Sequence, residues 1–144
     1  MSNNPLNASP RIAAVGSLNM DLVLQVQHAP GPGETVLADA LHLVPGGKGG
    51  NQAVACARQG AQVALFGRVG DDGYGHTLRA GLDADGIDHS GVQTDTDTTT
   101  GVAAITVEAT GQNRIVVVPG ANGRFVLDAV ALGAALQGAG GLVL

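Results

Sequence analysis

The pattern of hydrophobic and polar positions predicts alternating strands and helices over the first hundred residues. Residues 11–15 form a short apolar run that a glycine ends, which is typical of a buried central strand. Residues 22–27 alternate between apolar and polar side chains and predict a half-exposed strand. After a turn rich in proline and glycine, residues 35–44 resume an extended, β-branched pattern.

A helix is predicted from Asn51 or Gln52 to Gln59, because small apolar residues recur on one of its faces, and Gly60 is expected to end it. Residues 62–67 predict the next strand. Asp71 or Asp72 follows it, and we interpret this residue as the cap of a second helix in preference to a catalytic residue. This order of strand, loop, helix, strand and helix indicates a βαβ unit in an α/β fold with a parallel sheet.

The second half of the chain predicts a hairpin. Two β-branched runs, residues 102–108 and 114–118, flank a turn that contains glycine. A plain doubly wound sheet has no place for such a hairpin. We therefore expect it to pair with residues 22–27 and 35–44 as a second, smaller sheet that covers the mouth of the first.

The ends of the chain differ in character. Residues 1–10 are polar and contain two prolines, so we expect a disordered lead-in before an α/β domain over residues 11–144. Residues 126–137 have a helical pattern, and residues 142–144 start what looks like another core strand. Because a three-residue buried strand is an improbable domain end, we expect this domain to be incomplete.

Composition narrows the classes of function. The chain has 144 residues, of which 44% are apolar, enough for one core. A net charge of −5 without basic clusters, with 2% aromatic residues, excludes nucleic acid as a partner. The single cysteine, Cys56, fits a reducing, cytoplasmic compartment. No apolar stretch is long enough to predict a membrane span or an export signal.

The most distinctive stretch is PGGKGGNQA at residues 45–53, which holds the only lysine of the chain, Lys48. Glycines let the backbone approach a ligand, and the following helix offers unpaired N–H groups with partial positive charge. Such a loop suits a polyhydroxylated or anionic ligand. It is neither a Walker-type loop, which would need glycine where His42 stands, nor a dinucleotide fingerprint. A tight strand-to-helix turn with a solvated lysine is the alternative.

Asn19 and Asp21 follow the first strand, at the edge where open α/β sheets bind ligands. An amide and a carboxylate together suit adjacent sugar hydroxyls. Taken alone, each could serve as a turn or cap residue, and so could Asn51 at the start of the helix. The functional interpretation depends on their joint occurrence at two loops that the fold would bring together.

Six motifs in chain order resemble the ribokinase family of phosphofructokinase-B-type carbohydrate kinases. They are GSLNMD at 16–21, PGET at 32–35, GGKGGNQA at 46–53, VGDDGYG at 69–75, TGVA at 100–103 and GAN at 120–122. The match runs over residues 11–144 and corresponds to the N-terminal half of the family enzyme. It implies part of a ribokinase-like three-layer α/β domain, with a parallel central sheet and a small β-sheet lid at about residues 22–45 and 100–119.

The resemblance implies ATP-dependent phosphorylation of the 5-hydroxyl of D-ribose in a homodimer joined through the lid strands. In the complete enzyme it also implies Mg²⁺ and a monovalent cation, K⁺. The substrate-binding residues that it implies here are Asn19, Met20, Asp21, Gly47, Lys48, Gly49, Gly50 and Asn51. Val117, in the second lid strand, would be an apolar wall. The GGKGGN form and the Asn-x-Asp pair favour ribose over a nucleoside or a fructose phosphate.

Departures from the family pattern limit the expected activity. In that family a second sugar-binding carboxylate, the catalytic aspartate, the ATP pocket and the cation site all lie beyond the strand that begins at Leu142. We therefore assign no catalytic, cofactor-binding or metal-binding residue to this chain and expect it to be inactive alone. The alternatives are a non-catalytic sugar-binding or subunit-interaction fragment, or a kinase for another sugar or nucleoside.

Overall fold

The computed structural model describes residues 9–137 and 140–143, so most of the predicted lead-in lies outside the described residues. The strands in these ranges are β1 Arg11–Val15, β2 Asn19–Val26, β3 Ala40–Gly46, β4 Gln62–Gly70, β5 Asp88–Asp95, β6 Gly101–Glu108, β7 Asn113–Val118 and β8 Gly141–Val143. The helices are α1 Lys48–Arg58, α2 Gly73–Ala84 and α3 Ala129–Leu136, with a 3₁₀ helix at Gly120–Arg124.

The first sheet is parallel, in the order β5-β4-β1-β8. Its inner strands are buried, as their apolar sequences predict: Ala14 and Leu65 are fully enclosed. Helices α1 and α2 add Ala53, Leu78 and Leu82 to the same core. The predicted α/β class with a parallel sheet is confirmed.

The second sheet has the order β3-β2-β6-β7, in which β2 and β6 are parallel and the outer pairs antiparallel. The predicted hairpin forms it together with β2 and β3, as expected. The strand predicted at 22–27 begins three residues earlier, so Asn19 and Asp21 lie within β2 instead of the preceding loop. Asn19 already pairs with Gly46 on one side and Gly101 on the other, and these pairings extend the strand.

Other boundaries also differ from prediction. Helix α1 begins at Lys48 rather than at Asn51 or Gln52, because Gly47 is the N-cap and its carbonyl already accepts from the Asn51 N–H at 2.9 Å. Residues 35–39 are not part of β3. Helix α3 begins at Ala129, not at 126, because Asp128 caps it by accepting from two backbone N–H groups. The unpredicted strand β5 is polar and lies at the edge of the first sheet.

Asp72 joins the two sheets. It caps α2 by accepting from the Gly75 N–H at 2.8 Å, as predicted for Asp71 or Asp72. It also accepts from the Thr100 N–H at 2.8 Å and the Thr100 hydroxyl at 2.7 Å, just before β6. Burial alone would raise the pKa of Asp72, but these hydrogen bonds outweigh burial and hold its pKa below the ordinary value.

We expect Asp72→Asn to lower the free energy of unfolding by about 2 kcal/mol at neutral pH, because an amide group would face the Thr100 donors. The folded pKa of Asp72 lies below the unfolded one, so its contribution is full above about pH 4 and disappears as the pH falls through the folded pKa. Urea unfolding of both forms between pH 3 and 7 measures this. The matched control is Asp71→Asn, since Asp71 is exposed. An equal loss in both variants, or a difference independent of pH, would contradict the assignment.

Across residues 9–137 and 140–143, none of the helices is long and apolar enough to cross a membrane.

Candidate functional site

The loop between β1 and β2 packs directly on the start of α1. The Gly50 N–H donates to the Ser17 carbonyl at 3.1 Å, and the Lys48 N–H donates to Ser17 Oγ at 3.2 Å. Gly49 faces Gly16 so closely that a Cβ on Gly49 would lie 2.5 Å from the Gly16 carbonyl carbon. The structure thus brings the two predicted loops into backbone contact, and glycine is what permits this approach.

Asn19 and Asp21 lie on one face of the second sheet, because side chains two residues apart in a strand point the same way. Asp21 pairs with Val44 of β3 and Ala103 of β6, and Ala103 pairs in turn with Val117 of β7. Val117, exposed, is therefore on the face of Asp21, two strands or roughly 10 Å away.

Gly46 and Gly47 begin the glycine loop, residues 46–50, and lie directly against β2 and the residues that precede it. A Cβ on Gly46 would overlap the Asp21 carboxylate, and one on Gly47 would lie 2.5 Å from the Ser17 carbonyl oxygen. Gly47 also has a φ of 89°, in the region that favours glycine. The carboxylate of Asp21 is consequently seated against bare backbone.

Met20, between the two polar residues, points to the opposite face. Its side chain is 2% exposed and belongs to the core cluster with Leu18 and Leu65. Of the predicted substrate-binding residues, Met20 therefore offers only its backbone to a ligand.

Asn51 lies in the first turn of α1, which follows directly on Gly47. Its exposed side chain lines a cavity of about 500 Å³ between α1 and α2, together with Gly46, Gly50 and Arg58. Asp21 is not among the residues that line this cavity. Lys48 is exposed at the first position of α1. Asn19, Asp21 and the glycine backbone thus meet at one edge of the second sheet, and Asn51 lines the cavity between α1 and α2.

Asn122, in the 3₁₀ helix, hydrogen-bonds to Leu18 and Asn19, which are far from it in sequence. Its Oδ1 accepts from the Leu18 N–H at 2.9 Å, and its Nδ2 donates to the Leu18 carbonyl at 2.9 Å and to Asn19 Oδ1 at 2.8 Å. Asn122 belongs to the GAN motif at residues 120–122, for which the sequence alone predicts no contact. No local sequence signal identifies this contact, because Leu18 and Asn122 are 104 positions apart.

Partial burial raises the pKa of Asp21. Within the described residues, no hydrogen bond or ion pair to its carboxylate offsets that burial. A carboxylate in this position gains from a ligand that donates hydrogen bonds, as a hydroxyl does.

Among residues 9–137 and 140–143, no group of three or more histidine, cysteine, aspartate or glutamate side chains is placed to hold a metal ion. What the edge offers chemically is an amide, a carboxylate and bare backbone, the groups that hydrogen-bond to hydroxyls.

Comparison with known proteins defines the class as a ribokinase-fold α/β protein. The structure of Arabidopsis thaliana ribokinase complexed with ribose and ATP matches with a TM-score of 0.80 and 30% sequence identity, over 94% of this chain and 45% of that one. The chain belongs to the pfkB family of carbohydrate kinases, whose sequence pattern matches residues 9–143. The family and fold that the motifs suggested are thereby confirmed.

Two curated relatives of this chain are named for different sugars. The ribokinase of Bacillus subtilis (strain 168) is 50% identical over 111 residues, which are 77% of this chain and 38% of the relative. The deoxyribokinase of Salmonella typhi is 39% identical over 111 residues, again 77% of this chain and 36% of the relative. The chain therefore spans less than two fifths of the length of the curated relatives it matches.

Proposed function

We propose that this chain supplies the sugar-binding edge and covering sheet of a kinase that phosphorylates D-ribose with ATP. The observation that carries the proposal is the seating of Asn19 and Asp21 on one face of β2, against the glycine backbone at Gly46 and Gly47. The ribokinases among the relatives, one of them complexed with ribose and ATP, support D-ribose as the sugar.

The roles follow from the chemistry of each group. Asp21 accepts from a sugar hydroxyl, and Asn19 donates to the same or the neighbouring hydroxyl. The ammonium of Lys48, exposed at the positive end of α1, faces developing or existing negative charge. Gly49 and Gly50 have no side chain between the loop backbone and the ligand. Val117 of the second sheet and Asn51 of α1 border the sugar.

Transfer of phosphate requires a positioned base and positive charge or N–H donors at the γ-phosphate. We assign none of the described residues to those tasks, and none to ATP, Mg²⁺ or K⁺. In the proposed reaction this chain holds and covers the sugar. We expect no turnover from the 144 residues alone, and we place the reaction in the cytoplasm, where ATP is available.

Calorimetric titration of the purified chain with D-ribose tests the proposal. We expect saturable binding at one site, with 2-deoxy-D-ribose and D-fructose as competitors and a nucleoside as the least favoured ligand. The deoxyribokinase relative makes 2-deoxy-D-ribose the most informative competitor. Absence of binding to any pentose, or tighter binding of a nucleoside, would contradict the proposed substrate.

We also propose that the second sheet joins two copies of the chain. On the face opposite Asp21, one cross-strand row runs from Leu43 through Leu22 and Ala104 to Val116. Leu43 is 53% and Val116 69% exposed, and contiguous apolar surface of this kind marks an interface.

Val116→Asp should therefore convert a dimer into a monomer, because a charge would be buried at the interface. Light scattering after size exclusion measures the mass. The matched control is Val130→Asp on α3, where the wild-type side chain is 83% exposed and the mass should not change. A wild-type chain that is monomeric at high concentration would refute the proposed dimer.

A further inference from the structure

The amide of Asn122 has only one orientation that satisfies its neighbours. The peptide N–H of Leu18 can only donate and its carbonyl can only accept. Both lie 2.9 Å from the Asn122 side chain. The Asn122 oxygen must therefore face the N–H and its nitrogen must face the carbonyl.

The orientation of Asn122 then determines that of Asn19. One hydrogen of Asn122 Nδ2 goes to the Leu18 carbonyl, and the second points at the side chain of Asn19 at 2.8 Å. The atom that Asn19 presents there has to be an acceptor, its Oδ1. The NH₂ group of Asn19 is consequently turned away from Asn122, and Asn19 enters the site as a donor.

The surrounding backbone is built around this contact. A Cβ on Gly101 would overlap both Asn122 Nδ2 and Asn19 Oδ1, so only glycine leaves room for the two amides to meet. The 3₁₀ helix that carries Asn122 is held by the fully buried Ala121, whose N–H donates to the Thr99 carbonyl at 2.8 Å.

We propose that Asn122 is a positioning residue that fixes the Asn19 amide with its NH₂ toward the sugar. This inference rests on the proposed function and adds a specificity device to it. A hydroxyl can donate to Asp21 and accept from Asn19 at the same time. With the Asn19 amide reversed, the edge would present two acceptors, and a single hydroxyl could satisfy only one of them.

A double-mutant cycle tests the proposal. Asn122→Asp keeps an acceptor for the Leu18 N–H but puts an oxygen in place of the nitrogen that donates to the Leu18 carbonyl and to Asn19, so the Asn19 amide has to turn over. Calorimetry with D-ribose should show an affinity lower by about tenfold for Asn122→Asp, and by a similar factor for Asn19→Ala. The double variant should lose no more than Asn19→Ala alone, because Asn122 acts through Asn19.

The matched control is Asn113→Asp, the same chemical change at an exposed position of the second sheet, where affinity should not change. A double variant about a hundredfold weaker than wild type, as independent effects would give, overturns the proposal. So does an unchanged affinity in Asn122→Asp. If the wild-type chain binds no D-ribose at all, the proposed function fails, and this inference fails with it.

The wild-type protein provides a second measurement should Asn122→Asp fail to fold. In nuclear magnetic resonance spectra of ¹⁵N-labelled chain, D-ribose should shift the side-chain NH₂ resonances of Asn19 and leave those of Asn122 in place. Shifts at Asn122 without shifts at Asn19 would overturn the proposal.

Discussion

Asp21→Asn should remove most of the affinity for D-ribose while leaving the chain at least as stable as wild type at neutral pH. The carboxylate is seated against the backbone of Gly46, and burial raises its pKa, so its charge is held at a cost to the folded state. Hydrogen bonds from a ligand to a charged acceptor offset that cost, and their loss should weaken binding roughly 10- to 100-fold.

The stability change has a defined dependence on pH. The folded pKa of Asp21 lies above its unfolded value, so the folded state binds more protons in the interval between them. The free energy of unfolding of the wild type therefore falls as the pH rises through that interval. The advantage of Asp21→Asn should be present at neutral pH and disappear below about pH 4, where both states are protonated.

Thermal unfolding from pH 3 to 7 and calorimetry with D-ribose measure the two effects. The matched control is Asp39→Asn, which removes the same charge from an exposed carboxylate that accepts from Gln27 at 2.8 Å. We expect Asp39→Asn to bind D-ribose like the wild type. Wild-type affinity in Asp21→Asn would show that the Asp21 carboxylate does not bind D-ribose. A marked loss of stability at neutral pH would show that Asp21 has a structural role instead.

Gly49→Ala should destabilise the fold severely, although it adds only one methyl group. The new Cβ would lie 2.5 Å from the carbonyl carbon and 2.6 Å from the Cα of Gly16, which are backbone atoms at the end of β1. Because neither backbone can yield without breaking the contact of the loop with α1, we expect a loss of at least roughly 3 kcal/mol of folding free energy. D-ribose binding should be lost with it.

Gly50→Ala is the matched control, one residue along the same helix. Its Cβ would meet only Leu18 Cδ2, at 3.4 Å, which is ordinary contact. Replacing a helical glycine by alanine stabilises by about 0.5–1 kcal/mol, so Gly50→Ala should be neutral or slightly stabilising. Urea unfolding of the two variants measures the difference. Equal stability of the two would contradict the close approach of Gly16 and Gly49.

The parallel sheet was predictable because β1 and β4 are apolar runs bounded by glycine, and local sequence is enough to identify such strands. Strand β5 was not, because it buries only Val92 and Asp95 and depends on pairing with β4 for its conformation. Strand propensity does not reveal an edge strand whose partner is distant in sequence.

In the site, too, local sequence predicted some features and not others. The contact between the β1–β2 loop and the glycine loop followed from placing both at one edge of a parallel sheet. The position of Asn51 did not, because α1 begins at Lys48 and its helical phase puts Asn51 in line with Val54 and Arg58, toward α2. The contact between Asn122 and Leu18 joins residues 104 positions apart, and no local pattern encodes it.

The central claim is that β2 and the glycine loop hold a sugar between them, and backbone resonance mapping with D-ribose tests it most directly. We predict ligand-dependent shifts at both places together, at Asn19 and Asp21 and at Gly47 and Lys48. Shifts confined to the cavity between α1 and α2, at Arg58, Leu82 and Asp85, or no shifts at saturating D-ribose, would contradict it.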